Sequence, residues 1–285
     1  MGLESALALI ESVVADDVLF IGDAINDEYH YVKPLMKSPK EHLIPLKWIS
    51  KEVFKGGTHA AANHARSFCR KVSACTPGAV TTKVRFIDPT YNRKLSEVHY
   101  EGSARLDTYN LHDHDTVVVT DFGHGAITSA DVKRLCDRAR FLAVNAQTNS
   151  ANFGFNLITK YSRADYVVID EPEARLAAHD NTSPIEEVIW KIALGPKMVV
   201  TLGQNGAIGW DENGFHRCKA MSDHVVDTMG AGDAFFAVTA PMARHGSIED
   251  LLLIGNAAGA MKTQIMGHRE PVTKDGLIAF LKAHA

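Results

Sequence analysis

Cysteine is scarce and scattered. The four residues, Cys69, Cys75, Cys136 and Cys218, form no CxxC pair, which argues against a zinc site or a disulfide framework and implies reduced thiols, most of them packing residues. No apolar run approaches the roughly 18 residues that a membrane span needs. The N-terminus, Met-Gly-Leu-Glu-Ser-Ala, has no basic region, and the next apolar segment is broken by Asp16 and Asp17; no signal peptide is expected, and a soluble, cytoplasmic protein is. Positive charge is not in excess, because 30 Lys and Arg stand against 34 Asp and Glu for a net charge of −4. That balance argues against general binding to nucleic acid or an anionic membrane and points to small-molecule partners, while leaving room for a local basic pocket for phosphates. Several enzyme templates are missing as well: no GxxxxGK[ST], GxSxG, HExxH or strand-linked GxGxxG occurs in the chain. Internal repeats and low-complexity linkers are absent too.

What is present is apolar content of 46% over 285 residues, enough to bury a large core as one large α/β domain or two ordinary ones. Residues 3–15 have helical spacing, and 18–22 form a short buried strand ending in a Gly turn. Similar apolar runs recur at 116–120, 141–145, 166–169 and 198–202, with helix-like segments at 129–140 and 184–194 between them. This alternation predicts a mostly parallel sheet covered on both faces, with ligands bound outside the carboxyl ends of the strands. Residues 31–55 and 80–106 break the pattern: charged residues alternate there with apolar ones, as in strands of a small separate sheet.

The most informative string is Asp227-Thr228-Met229-Gly230-Ala231-Gly232-Asp233, running into Ala234-Phe235-Phe236-Ala237-Val238. The first turn of a helix leaves N–H groups without intrahelical partners, and Gly230, Ala231 and Gly232 carry almost no side chain to keep a phosphate away from them. A carboxylate is otherwise a poor neighbour for phosphate. Asp233 makes chemical sense if it accepts a proton from an attacking hydroxyl while the amides hold the transferring phosphoryl group. The plainer alternative is a Gly-rich turn in which Asp233 only complements the helix dipole. The full DTxGAGD string resembles the second signature of the ribokinase-like (PfkB) carbohydrate kinases. The resemblance implies Asp233 as catalytic base and Gly230, Ala231 and Gly232 as the anion hole.

Other strings follow in that family's order. Gly22-Asp23-Ala24-Ile25-Asn26-Asp27 resembles the opening of the heptose-phosphate kinase branch and implies Asp27, ahead of Asp23, as a sugar contact; a solvated turn is the alternative. Gly56-Gly57-Thr58-His59-Ala60-Ala61-Ala62-Asn63 resembles the first signature, with Gly56 and Gly57 admitting a sugar hydroxyl to the backbone and Asn63 offering a donor and an acceptor. His59 and His64 are expected as surface or packing residues. Thr201-Leu202-Gly203-Gln204-Asn205-Gly206 resembles the TxGxxG element under the nucleotide, which brings in Thr201, Gly203 and Gly206. Glu173 matches the acid of the NxxE element that organises magnesium and phosphate, directly or through water, while Asp170 replaces its usual Asn. Asn145-Ala146-Gln147 departs from the Asp-Pro followed by Lys or another polar residue of close relatives, the run at 147–152 is rich in amides and hydroxyls that suit a loop and sugar or phosphate recognition equally, and Pro241 is expected to end or kink the helix about two turns beyond Asp233.

In Thr82-Lys83-Val84-Arg85 a cation pair is, from the residues alone, first of all solvated surface. The string resembles the TKxR of heptose-7-phosphate kinases, which implies Lys83 and Arg85 as contacts to a phosphate already on the sugar. Asp121 is either a substrate contact or a cap on the next helix, and Asn256 with Ala257, Ala258 and Gly259 resembles the helix lining the family's adenine pocket or is close-packed core. His112-Asp113-His114-Asp115 supplies no defined tetrahedral set and is expected as a polar loop.

The resemblance runs from Val18 to about Thr273. It implies a ribokinase-like three-layer α/β fold over residues 1–285 with a small discontinuous β lid at about 31–55 and 80–106. It further implies ATP and Mg2+, with room for a monovalent cation, a homodimer through the lid, and a nucleotidyltransferase as partner domain. The implied activity is transfer of the γ-phosphoryl of ATP to a sugar or sugar phosphate of the heptose-7-phosphate kind. The alternatives are a kinase for another sugar or a nucleoside, and a nucleotide- or sugar-binding protein without turnover.

Overall fold

A computed structural model describes residues 2–102, 105–106, 108–221 and 225–284. Its strands are β1 (Asp17–Gly22), β2 (Ala24–Pro34), β3 (Leu46–Gly57), β4 (Lys71–Cys75), β5 (Thr81–Asp88), β6 (Arg93–Tyr100), β7 (Thr116–Asp121), β8 (Leu142–Ala146), β9 (Tyr166–Asp170), β10 (Lys197–Thr201), β11 (Ala207–Asp211) and β12 (Gly214–Cys218). The helices are α1 (Leu3–Ser12), α2 (Thr58–Ala65), α3 (Ser129–Arg138), α4 (Glu171–Ala178), α5 (Ile185–Ile192), α6 (Ala231–Met242), α7 (Ile248–Thr263) and α8 (Lys274–His284).

Eight strands form the main sheet in the order β12-β11-β10-β9-β8-β7-β1-β4. It is parallel from β10 to β4, and the β10-β11-β12 edge is antiparallel. Because successive strand residues point to opposite faces, each central strand feeds two cores. Val18 and Phe20, Val118, and Tyr166 and Val168 pack with α1, α2, α6, α7 and α8. Leu19 and Ile21, Val117 and Val119, and Val167 and Ile169 pack with α3, α4 and α5. Burial on both faces explains why these strands read as continuous apolar runs. Three helices also start on sequence-encoded caps: Thr128 with Asp131 on α3, Asp170 with Glu173 on α4, and Ser247 on α7.

The second sheet has the order β3-β2-β5-β6. It begins at Ala24, earlier than the expected 31, so Asp27 lies on a strand and not in a turn. Within the second expected stretch, 103 and 104 lie outside the described residues. Register fixes which residues share a face: Asp27 pairs with Phe54 and Lys83, Tyr29 with Glu52 and Arg85, and Lys83 and Arg85 in turn pair with His99 and Glu97. Pro241 sits one residue before the end of α6, so the helix stops near it without being broken earlier.

Candidate active site

The first wall of the site is the start of α6. Gly230 takes a left-handed conformation, φ 75°, at the helix N-cap, a geometry that glycine adopts without steric cost. Asp233 follows in the first turn and, with Gly230 and Gly232, lines a cleft of about 210 Å³. The rest of that lining comes from the carboxyl ends of β8, β9 and β10, through Asn145, Asp170 and Thr201, and from Gln147, Thr148 and Glu173. Burial raises the pKa of Asp233, while the charge of His268 and a hydrogen bond from Gln147 act against that rise. The Gln147 amide donates to Oδ1 of Asp233 at 2.5 Å and to Asn145 Oδ1 at 2.9 Å. One carboxylate oxygen of Asp233 is thereby oriented by the protein, and a base so positioned suits proton abstraction.

The second wall is the small sheet. Asp27 is buried, its Oδ2 stands 3.3 Å from His268 Nε2, and its Oδ1 pairs with the Arg85 guanidinium. Burial acts to raise its pKa, but His268 and Arg85 outweigh it and hold the carboxyl at about 2. Gly56 is required here, since a Cβ at that position would lie 2.1 Å from Asp27 Oδ2. Arg85 also pairs with Glu97 at 2.5 Å. Lys83 is as buried as Arg85, yet it makes no hydrogen bond or ion pair with the described residues. Next to it, the His124 side chain is 3% exposed; its Nδ1 meets Glu101 at 3.1 Å and its Nε2 is buried without a partner. Burial, and then the Lys83 charge, lower the His124 pKa.

Asp227 ties the walls together. It accepts from the N–H groups of Met229 and Gly267 at 3.1 Å each and from Tyr29 Oη at 3.3 Å, and it pairs with Lys94 at 3.2 Å. These contacts pin the loop after α7, and with it His268, against β2. Lys262 and His268 both pack on Gly230, with Cε and Cε1 at 3.4 and 3.3 Å from where a Cβ would stand.

Asp170 and Glu173 form the capping box of α4: Glu173 N–H donates to Asp170, Asp170 N–H to Glu173, and Thr148 N–H to the other Glu173 oxygen at 2.9 Å. Burial first and the Asp170 charge second raise Glu173 to about 8, and Asp170 is raised by burial too. Two adjacent carboxylates that resist ionisation are a donor set suited to a cation. Among the described residues no group of three His, Cys, Asp or Glu could hold a metal ion.

Other candidate residues are exposed away from the cleft or engaged within the fold. Asn63 is exposed on α2 and accepts from Arg66. Asp121 is buried among Tyr161, Asn156 and Lys160 and takes the Gly123 N–H, so it serves the fold, and the cap of α3 is Thr128 instead. Asn256 donates to Leu252 O in its own helix, and Ala257 and Ala258 are fully buried core. Gly206 packs on the Cys218 carbonyl while Gly203 is exposed. Asp23 takes the N–H groups of Phe122 and Ala126, a fold role. Lys83 and Arg85 are not solvated surface. His64 is a packing residue, its Nδ1 accepting from Val272 N–H. Gln147, in the run at 147–152, reaches the cleft beside Asp233; Lys262 and His268 carry no sequence signal and reach it from a helix end and a loop without a motif.

Residues 87–275 match the model of the pfkB family of carbohydrate kinases. In fold the chain is similar to ribokinase from Thermotoga maritima (TM-score 0.74, 17% identity, 94% of this chain and 99% of that one). It is also similar to phosphofructokinase-2 from Escherichia coli in complex with potassium (TM-score 0.71, 15% identity, 94% and 99%) and to ribokinase from Arabidopsis thaliana complexed with ribose and ATP (TM-score 0.67, 17% identity, 94% and 99%). Fructoselysine 6-kinase from Escherichia coli is 52% identical over 40 residues, which span 14% of this chain and 15% of that protein. The small sheet, the cleft at the strand ends and the DTMGAGD turn thus come with a family match over more than half of the chain: it belongs to the pfkB family of carbohydrate kinases, phosphotransferases with an alcohol group as acceptor.

Proposed function

We propose that this chain transfers the γ-phosphoryl of ATP to a hydroxyl of a sugar that already carries an anionic group, in the manner of a heptose 7-phosphate. The observation that carries the reading is Lys83: a largely buried lysine on the same sheet face as Asp27, with no hydrogen bond or ion pair among the described residues, next to the unpartnered Nε2 of His124, and with the charges of Asp27, Glu97 and Glu101 only partly offsetting its burial. A buried cation is costly to leave uncompensated, and a phosphate on the acceptor compensates it. A second reading is favoured by the fructoselysine 6-kinase match, in which the sugar carries an amino acid in place of the phosphate.

Asp27, with the backbone at Gly56 and Gly57, holds the sugar, and Arg85 keeps Asp27 ionised and aimed. Asp233 takes the proton of the attacking hydroxyl as its oxygen bonds to the γ-phosphorus and the bond to the ADP oxygen breaks. The Gly230, Ala231 and Gly232 amides stabilise the charge on the transferring group. Asp170 and Glu173 would hold magnesium through water, and the ion neutralises nucleotide phosphate charge when bound. Thr201 and Gly203 border the nucleotide. The small sheet acts as a lid that excludes water as a competing acceptor. Its exposed Trp48, Val53, Val98 and Tyr100 support a homodimer through the lid. Among the described residues no helix is long and apolar enough to cross a membrane.

The test is ADP release with ATP and magnesium across heptose phosphates, hexoses, pentoses, their phosphates, nucleosides and fructoselysine. Preference for an anionic acceptor, with the preference lost in Lys83→Met, supports the reading. Equal turnover of neutral and anionic acceptors contradicts it.

A further inference from the structure

The least expected ionisable group in the molecule is Lys262. Lysine stems usually carry the charge out to water, but Lys262, in the last turn of α7, has no exposed surface at all. Its Nζ makes one hydrogen bond, to the Ile265 carbonyl at 3.2 Å, out of three that an ammonium can donate. Its Cε packs on Gly230, the N-cap of α6. Burial is the largest influence on its charge and lowers its pKa; of the charged groups facing it, Asp227 and Asp233 favour the charge and Lys94 opposes it. Asp227 already accepts two backbone N–H groups, the Tyr29 hydroxyl and Lys94, so it does not need Lys262 to be satisfied. The negative end of α7 and the Ile265 carbonyl account for part of the ammonium's stabilisation. They do not account for a full charge kept against the turn that receives the phosphoryl group.

We propose that Lys262 is a fixed monovalent cation built into the anion hole, so that phosphoryl transfer by this chain needs no added alkali ion. The inference rests on the kinase reading above. When the γ-phosphoryl moves from the ADP oxygen to the acceptor oxygen and the acceptor proton goes to Asp233, negative charge gathers at Gly230–Gly232. A unit positive charge held behind Gly230 stabilises that state without rearranging. Lys262 keeps its proton throughout. The monovalent ion for which the family resemblance leaves room is, on this view, supplied by the protein itself.

The experiment compares wild type with Lys262→Met and Lys262→Ala in potassium chloride and in choline chloride, on the best acceptor found in the panel. The expected result is that wild-type kcat is the same in both salts. In Lys262→Met kcat should fall about a hundredfold, the loss typical of removing one anion-hole contact, with acceptor KM changed less than threefold. Lys262→Ala should recover part of the loss on adding potassium or ethylammonium, a response that a purely structural lysine does not give. Wild-type turnover that requires potassium overturns the proposal, as does Lys262→Met with kcat within threefold of wild type. If Lys262→Met does not fold, the wild-type salt comparison and the Lys262→Ala rescue still decide. A readout without acceptor separates this proposal from the kinase reading: calorimetric binding of MgADP with tetrafluoroaluminate should weaken at least tenfold in Lys262→Met. Unchanged binding overturns the role of Lys262, whereas weakened binding in a protein that turns over no acceptor upholds it and removes the kinase reading instead.

Discussion

The two walls of the cleft are built differently. The α6 wall uses backbone: small residues, a left-handed Gly230 and the free N–H groups of a first helical turn, with one carboxylate oriented by Gln147. The small-sheet wall uses side chains on one face of paired strands, Asp27, Lys83 and Arg85, set opposite each other by register. Backbone amides treat any phosphoryl group alike, whereas side chains on a sheet face can be exchanged singly without disturbing the ladder. On the proposed function, this difference puts the chemistry on the wall that tolerates least change and the choice of acceptor on the wall that tolerates most.

The sharpest way to break this division, short of removing Asp233, is at Gly230. Gly230→Ala forces a Cβ into a left-handed position against Lys262 and His268 and should lower kcat about a hundredfold while acceptor KM changes little; steady-state kinetics read both. Asp27→Asn should do the reverse, raising acceptor KM about thirtyfold through loss of a charged hydrogen-bond acceptor, with kcat for a saturating acceptor within a few-fold of wild type. Lys83→Met should raise KM about tenfold for a phosphorylated acceptor and leave a neutral one unchanged, as expected if that cation reads charge alone.

Two pH effects test the α6 wall and its neighbours. Because the pKa of Asp233 is raised, the base is lost to protonation at a higher pH than an ordinary carboxylate would be. The log of kcat/KM should therefore fall with unit slope as pH drops below that raised value. For stability the sign is set by Glu173, which is raised to about 8: the native state binds its proton more tightly than the unfolded chain does. Stability of the nucleotide-free protein should therefore fall as pH rises from about 4.5 towards 8. Asp170→Asn keeps an N-cap acceptor for α4 but removes the neighbouring charge. It should add about 1 kcal/mol at pH 8, seen in urea melts, and magnesium with ADP should stabilise wild type more than this variant.

The sequence made the first wall legible and the second only in part. Gly230–Asp233 could be read because a helix start and an anion site are local and contiguous, and the parallel sheet because strands buried on both faces are apolar throughout. Alternation around Val84 shows that Lys83 and Arg85 share a face, but not which face is covered: from the residues alone they read as solvated surface, by resemblance as phosphate contacts, and both are buried. For Asp121 and Asn256 the sequence left a site role and a fold role open, and their side chains are engaged by Tyr161, Lys160 and Asn156 in the one case and by the Leu252 carbonyl in the other, while helical phase leaves Asn63 exposed. Gln147 is marked by its place in the altered Asn145-Ala146-Gln147 element, whereas Lys262 and His268 reach the cleft only through tertiary placement, and no local pattern announces that.

The central claim is that Asp233 is the base for transfer held by the Gly230–Gly232 amides. Its most direct test is single-turnover ADP formation by Asp233→Asn against wild type, with the preferred acceptor and ATP both saturating. A rate about a thousandfold lower at unchanged ATP affinity is the predicted result; a rate within tenfold of wild type contradicts it.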